Sequence, residues 1–154
     1  MNDKSVSIRP ARREDVPAIV AMLADDHLGR ARERVEDPLS AVYYAAFERV
    51  ERDQNLTLVV AESESRVVGC LQLAVLAGIS SQGGIRGLLE DVRVASDCRN
   101  RGIGEQLVQW AITEAKARGC NLVELLTHSS RVDAQRFYER LGFALSHAGM
   151  TVRF

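Results

Sequence analysis

The spacing of hydrophobic positions changes twice along the chain, and each change marks a new kind of element. Val6 to Ile8, closed by Arg9-Pro10, predicts a short first strand. Glu14 to Asp25 then carries Val16, Ile19, Val20 and Leu23 at helical spacing, with Pro17 tolerable in a first turn. Pro38 to Asp53 predicts a second helix, with Leu39, Val42, Tyr43, Ala46, Phe47 and Val50 on one face. Asp26 to Asp37 between them is charged and poorly periodic, which reads as a loop or a mobile helical turn. After Gln54-Asn55 the pattern becomes that of strands. Leu56 to Ala61 and Val67 to Leu76 are rich in β-branched and aliphatic residues, and the charged Glu62 to Arg66 reads as a hairpin turn.

Ser80 to Gly84 reads as a flexible loop and Leu88 to Val94 as the next strand. Gly102 to Arg118 is the clearest helix. Ile103, Leu107, Ala111 and Ala115 recur every fourth residue, Val108 and Ile112 widen the stripe, and Gly119 stops it. Leu122 to Thr127 predicts another strand, and Ser130-Arg131-Val132-Asp133 reads as a capping box opening a last helix that ends at Leu141-Gly142. Phe143 to Phe154 is expected to add one or two short strands. Hairpin strands followed by strands alternating with helices imply one α/β domain over residues 1–154, with a mixed, mostly antiparallel sheet flanked by helices.

Composition narrows the function without naming it. A chain of 154 residues, 46% hydrophobic and 27% charged, is long enough to build a core without metals or disulfides. The net charge of -1 gives no global attraction to nucleic acid or an anionic membrane. No apolar run approaches the roughly 20 residues of a membrane span, and Met1 to Arg9 carries no signal-peptide core. Cys70, Cys98 and Cys120 are odd in number and widely spaced, so neither a disulfide framework nor a zinc site is expected. They read as buried or incidental, and a reducing cytoplasm is the expected location.

The chemistry concentrates where the strand ending Val92-Arg93-Val94 passes through Ala95 to Arg101 into the strong helix at Gly102-Ile103-Gly104. The first N–H groups of a helix have no helical partner, and the helix dipole adds positive potential there, so the turn suits a pyrophosphate. Glycines at 102 and 104 let a phosphate approach the backbone, and Arg99 and Arg101 add charge at the rim. A P-loop would need Gly-Lys-Ser/Thr, which is absent. A dinucleotide fingerprint would want a small residue at Leu107, and its glycines after the first strand. A tight strand-to-helix turn remains the simplest alternative.

Arg99-x-x-Gly102-x-Gly104, following Glu90-Asp91-Val92-Arg93-Val94, resembles the coenzyme A-binding motif of the GCN5-related N-acetyltransferases. Gln135-Arg136-Phe137-Tyr138-Glu139-Arg140-Leu141-Gly142-Phe143 resembles that family's second hallmark. The two motifs span Leu88 to Phe143. Within the family this half looks most like small-molecule amine acetyltransferases of the aminoalkylphosphonate type. The chain departs from the family pattern at Ser96, where proline is usual, at Asn100, where glycine is usual, and at His128, where many relatives carry Asn. Asn tolerates left-handed backbone angles better than most residues, so the cradle can survive Asn100.

The resemblance implies an N-acetyltransferase that moves the acetyl group of acetyl-CoA onto a primary amine, by direct attack in a ternary complex. The main chain of Val92, Arg93 and Val94 would pair with the pantetheine arm, with an oxyanion donor near Val92. Arg99, Asn100, Arg101, Gly102, Ile103, Gly104 and Glu105 would hold the pyrophosphate. Tyr138 is the candidate acid for the leaving thiolate, its alternative being core packing beside Phe137. The amine must be neutral to attack, since an alkylammonium (pKa about 10.4 in lysine) has no lone pair. Glu90 and Asp91 should face opposite sides of a strand, so that only one looks into the cleft. Glu90, expected to share a face with Val92 and Val94, is the candidate base, with an ion pair as its alternative. His128 is a weaker candidate, and His27 and His147 read as non-catalytic.

A small-molecule amine is the expected acceptor, with no metal, nucleic acid or membrane partner. A homodimer is expected from family habit and from sheet edges that need cover. A catalytically silent coenzyme A-binding module and a protein or peptide acetyltransferase are the competing functions.

Overall fold

Four of the aliphatic runs pair into an antiparallel array, and a fifth joins it in parallel. β1 (Ser7–Pro10), β2 (Leu56–Ser63), β3 (Arg66–Ala77), β4 (Ile85–Val94) and β5 (Leu122–Leu125) form one sheet in sequence order. The pairs are antiparallel except β4 with β5. The structure is a computed structural model that describes residues 5–25 and 28–154. His27, Asp26 of the segment read as a loop, and Met1 to Lys4 of the segment read for a signal peptide lie outside them.

The helices cover both faces, because β2 and β3 carry apolar side chains in both directions. α1 (Val16–Ala24) and α2 (Ala41–Arg52) pack on one side, where Val16, Val20 and Phe47 are buried against Leu58 and Tyr44. α3 (Ile103–Ala117) connects β4 to β5 and buries Ile103, Leu107, Val108, Ala111 and Ala115. Leu107 and Val108 are fully buried in one cluster with Leu71 and Leu73 of β3. Each such side chain contributes roughly 1.5–3 kcal/mol of burial, so the four-residue repeat anchors α3 beneath β3 and β4. α4 (Val132–Arg140) follows β5.

Asp15 is the buried charged side chain at the entry to α1. It accepts from the backbone N–H of Arg12 at 2.7 Å and from both terminal nitrogens of Arg9, at 2.7 and 3.0 Å. Burial would raise its carboxyl, but the bonds from Arg9 and Arg12 outweigh it and hold it below its ordinary value.

Three expectations need correction. Residues 143–154 form no strand, so the sheet ends at β5. This leaves Leu145, Met150, Val152 and Phe154 exposed. Ser80–Gly83 is an ordered turn rather than a flexible loop: Ser81 and Gln82 are left-handed (φ 55° and 60°), and Gly83 and Gly84 donate back to Ile79 and Ser80 at 3.0 Å. The capping box at Ser130 does not form, because no side chain caps α4 and the Ser130 hydroxyl is 2.7 Å from Nδ1 of His128. The Ser130 hydroxyl is turned to the neighbouring imidazole nitrogen instead of accepting a backbone N–H at the start of α4.

Candidate active site

The turn between β4 and α3 is held in place from both ends. Ala95 N–H donates to Val68 of β3 at 2.9 Å, and Cys98 is buried beneath the turn and donates its N–H to Ala95 at 2.8 Å. Asp97 makes a two-pronged pair with Arg66 at the start of β3, at 2.6 and 2.9 Å, and the hydrogen bonds from this guanidinium draw its carboxyl down to about 2. Arg99 reaches back to Asp25 at the end of α1, at 3.1 Å.

Asn100 (φ 60°) and Gly102 (φ 76°) are both left-handed, and α3 begins directly after them. The first helical bond is from Gln106 N–H to Gly102 at 3.0 Å. The N–H groups of Ile103, Gly104 and Glu105 therefore have no intrahelical acceptor, and they converge in a basic turn suited to a phosphate. Asn100 performs the backbone task for which the family uses glycine. The two glycines serve different ends. A Cβ on Gly102 would meet nothing within 4 Å, so its φ alone demands glycine, whereas a Cβ on Gly104 would press on the Phe137 ring at 3.3 Å. Gly104 thus permits α4 to approach α3, tying the turn to the helix that carries Tyr138.

Beside this turn the sheet splits. The β4–β5 ladder runs from Arg86↔Leu122 to Leu89↔Leu125 and stops, while β4 continues to Val94. On the side facing β5, the last residues of β4 have no strand partner. A bulge adds to the divergence: Gln72 pairs with Glu90 but Cys70 pairs with Arg93, which leaves one extra residue on β4, and Asp91 is left-handed at φ 52°. The gap opens into a cleft of about 520 Å³. Its walls are β4 from Leu88 to Arg93, the segment from Leu125 to His128, Arg131, Ala134 and Tyr138, the connection carrying Leu28, Ala31 and Arg32, and Arg153.

The bulge corrects the face assigned to Glu90. Val94 pairs with Gly69, whose Cβ position abuts Leu107 and Ile103 of α3, so Val94 lies on the α3 side. Glu90 pairs with Gln72, on the same side of β3 as Cys70, whose partner is Arg93. Glu90 therefore shares its face with Arg93 and not with Val94, because one inserted residue inverts the alternation. The same insertion defeats the expectation that only one of two adjacent carboxylates reaches the cleft: Glu90 and Asp91 both line it.

Glu90, Asp91 and Tyr138 are shifted by their surroundings in the cleft. Glu90 and Asp91 touch solvent, but the cleft strips part of their hydration. Both carboxyls are raised, Glu90 by burial and then by Asp91, and Asp91 by burial and by Glu33, against the opposing pull of Arg93 and Arg32. Tyr138 is half-buried between Phe137 and Phe143, edge-on to each at 5.0 and 5.7 Å. Burial raises its phenol, with Arg93 and Arg131 acting in the opposite sense, so the hydroxyl keeps its proton near neutral pH and can serve as a donor. His128 accepts Ser130 N–H on Nδ1 at 3.2 Å, which puts the ring proton on Nε2 when the ring is neutral. Cys70 is not a nucleophile, since burial pushes its thiol up to about 12.

The structure thus places Glu90, Val92, Arg93, His128 and Tyr138 on one cleft, and Arg99 to Glu105 on the adjoining turn. Sequence reasoning missed Asp91, Arg32, Arg131 and Arg153. Asp91 could have been found only by anticipating the bulge, and the three arginines come from separate segments with no shared motif.

A split β-sheet with a basic helix start beside the gap and a half-buried tyrosine on the cleft is the arrangement that the two sequence motifs lead one to expect. Residues 18–143 match the Acetyltransferase (GNAT) family. The chain belongs to this family of acetyl-CoA-dependent N-acetyltransferases. It is 35% identical over 99 residues to the aminoalkylphosphonate N-acetyltransferase of Salmonella typhimurium, a match spanning 64% of each chain and so just under two thirds of that relative. It is 31% identical over 144 residues to the L-methionine sulfoximine/L-methionine sulfone acetyltransferase of Pseudomonas aeruginosa, covering 92% of this chain and 82% of the other. A Bacillus halodurans crystal structure described as a transcriptional regulator superposes with a TM-score of 0.95 at 47% identity, covering 97% of this chain and 100% of that one. Among the described residues no helix is long and apolar enough to cross a membrane.

Proposed function

We propose that this chain acetylates the primary amine of a small molecule, with acetyl-CoA and amine bound together. The observation that carries the reading is the opening of β4 from β5 beyond Leu89, next to the turn at the start of α3. β4 backbone without a strand partner on this side can offer hydrogen bonds to an extended pantetheine arm, once the side chains of Arg93 and Arg99 leave the Val92 and Val94 carbonyls they bond at 2.9 and 3.3 Å, and the turn offers N–H groups to the pyrophosphate. The family and these donors fit the coenzyme: Val92, Arg93 and Val94 would hold its arm, and Arg99 to Glu105 its phosphates.

The proposed reaction then needs little from the protein beyond positioning and two protons. Glu90, directly or through water, takes a proton from the substrate ammonium. The freed nitrogen lone pair forms a bond to the thioester carbonyl carbon, and a β4 N–H near Val92 supports the negative charge on oxygen. The carbon–sulfur bond breaks as Tyr138 gives its proton to the leaving sulfur, and the surplus proton of the amide nitrogen passes through water to the tyrosinate, leaving a neutral amide and a reprotonated Tyr138. The raised carboxyl of Glu90 makes it a stronger base than an ordinary glutamate. The thioester is already activated, so this reading invokes no metal.

The wall formed by Leu28, Ala31 and Arg32 favours a small acceptor over a peptide. It is tied down, since Tyr43 of α2 accepts Arg34 N–H at 2.9 Å and bonds Glu33 at 3.0 Å. A covered cleft suits the compact amines named for the Salmonella and Pseudomonas relatives. The test is release of free thiol from acetyl-CoA with a panel of amines, amino acids, aminophosphonates and peptides. Turnover with a small amine is expected. Tight coenzyme binding without thiol release from any acceptor would make the chain a silent coenzyme-binding module, and turnover confined to peptides would make it a protein acetyltransferase.

A further inference from the structure

We infer that Arg93 is a further working residue of the reaction: it caps the Val92 carbonyl until the coenzyme arm takes that carbonyl, and it is the cation that supports the phenolate left on Tyr138 when the proton goes to sulfur. This rests on the acetyltransferase reading above. Arg93 acts through Tyr138, so it is a positioning residue. The bulge sets its direction: Arg93 pairs with Cys70, shares the face of Glu90 and lines the cleft together with Tyr138. Its Nη1 donates to Val92 O at 2.9 Å, while its Nε is buried with no acceptor. Buried donors are nearly always bonded, and one left over on a charged group is costly. The half-buried guanidinium thus stands short of partners in a cleft where a negative charge is to form.

The carbonyl it caps faces the gap. The Cys70 thiol donates to Asp91 O at 3.4 Å, and the Arg93 N–H bonds the Cys70 sulfur, so both of these backbone groups point towards β3. In planar trans peptides the opposite groups, Val92 N–H and Val92 O, then point to the open side of β4. An arm paired along this edge takes Val92 O and releases Nη1. Arg99 caps Val94 O at 3.3 Å in the same way, but Asp25 holds it at 3.1 Å, so it stays with the turn. No carboxylate among the described residues holds Arg93 at such a distance. Tyr138 is where a released cation is of use. Its ring is enclosed by Phe137 and Phe143, so a phenolate there loses hydration and has to be met by a fixed charge. Two guanidinium groups act on it, Arg93 from β4 and, more weakly, Arg131 from the start of α4. Glu90, Asp91 and His128 line the same cleft, and Asp91 is favoured as an anion by Arg93 and Arg32 and opposed by Glu33. In the step itself the phenolic O–H bond breaks and the S–H bond forms. The surplus amide proton then restores the phenol through water, and the guanidinium keeps its own proton throughout.

Arg93→Met and Arg93→Lys test this, with circular dichroism checking the fold, and Arg93→Gln repeats the neutral case if the methionine variant does not fold. The Tyr138 phenol is titrated by ultraviolet absorbance in coenzyme-free protein, and the signal of Tyr43 and Tyr44 is removed by subtracting Tyr138→Phe in the same background. Arg93→Met should move this titration to higher pH, because the cation favouring the phenolate is gone, and Arg93→Lys should return it towards the parent. Calorimetry should find coenzyme A bound at least as tightly by Arg93→Met as by the parent, since no side chain then competes for Val92 O. With a small amine, kcat should fall by roughly 10- to 100-fold in Arg93→Met and much less in Arg93→Lys, and its alkaline limb should move to higher pH. An unmoved phenol, lysine and methionine variants that behave alike, or a loss falling on coenzyme affinity would overturn the inference. The phenol titration and the calorimetry need no turnover. A chain that releases no thiol therefore sinks the catalytic reading and leaves these two measurements to decide whether Arg93 serves Tyr138.

Discussion

The phosphate turn and the acceptor cleft adjoin, but they are built by different means. The turn uses main chain from one short run, Val94 to Glu105: two left-handed residues, a helix start and two arginines. Its chemistry needs few particular side chains, so Asn100 can replace a glycine without loss of shape. The cleft uses side chains drawn from the α1–α2 connection, the β4 bulge, the end of β5, α4 and the last residues of the chain. In the proposed reading, the coenzyme common to the family is met by local backbone geometry, and the acceptor particular to one member by residues the fold gathers from far apart. Gly104 joins the two regions, because its missing Cβ lets Phe137, next to Tyr138, rest against the helix start.

The largest effect expected from breaking this arrangement is on turnover alone. Tyr138→Phe keeps both aromatic contacts and removes the proton donor, so turnover should fall by roughly 10²–10⁴ while coenzyme affinity stays the same. Steady-state kinetics with calorimetry checks this, and full turnover with a chemically limited substrate would return Tyr138 to a packing role. Gly102→Val should do the reverse. The added side chain meets open space, but a β-branched residue resists φ 76°, so the N–H groups should turn away and coenzyme affinity should drop by roughly 10- to 100-fold. Unchanged circular dichroism would show that the fold survives, and unchanged affinity would remove the phosphate from this turn.

Two smaller effects sharpen the cleft. Glu90→Gln should lower turnover on the order of 10-fold near neutral pH, less than the tyrosine variant because Asp91 stands beside it. The defect should shrink as pH rises, since the amine then loses its proton unaided. A defect independent of pH would make Glu90 a positioning residue and move the base to His128 or water. The smallest effect is expected from Asp91→Asn, which suits the left-handed bulge and deletes a negative charge. Asp91 raises the carboxyl of Glu90, so its removal should lower that carboxyl and move the acid limb of the kcat/KM profile to lower pH. A limb that stays put would mean that Glu90 does not control it.

Stability offers an independent reading of the same carboxylate. Asp91 is raised in the folded protein, so at pH values above that raised position its ionised form opposes folding. Asp91→Asn should therefore raise Tm at neutral pH. The gain should fade as pH drops through the raised value towards 3.8, where wild-type Asp91 takes up its proton in both states. Asp15 has the opposite sign. Its lowered carboxyl supports the fold at neutral pH, and that support is lost on acidification below its ordinary value.

What the amino-acid order determined by itself was whatever depends on neighbours within a turn or two. The four-residue repeat of α3, the β-branched runs of β2 and β3, the glycine at 102 and the tolerance of Asn100 for a left-handed angle are all local preferences, and all are realised. Only the tertiary structure decided the rest. The bulge at Asp91 exists because β4 pairs with β3 in a particular register, and no residue in β4 announces it. That single insertion placed Glu90 beside Arg93 and brought Asp91 into the same cleft. The capping sequence at Ser130 yielded to a histidine two residues before it. The wall at Arg32 and the cations at Arg131 and Arg153 meet only when distant segments close around the split sheet. Periodicity reports which way a side chain faces while pairing stays regular, and it carries no record of where pairing slips or which remote segments converge.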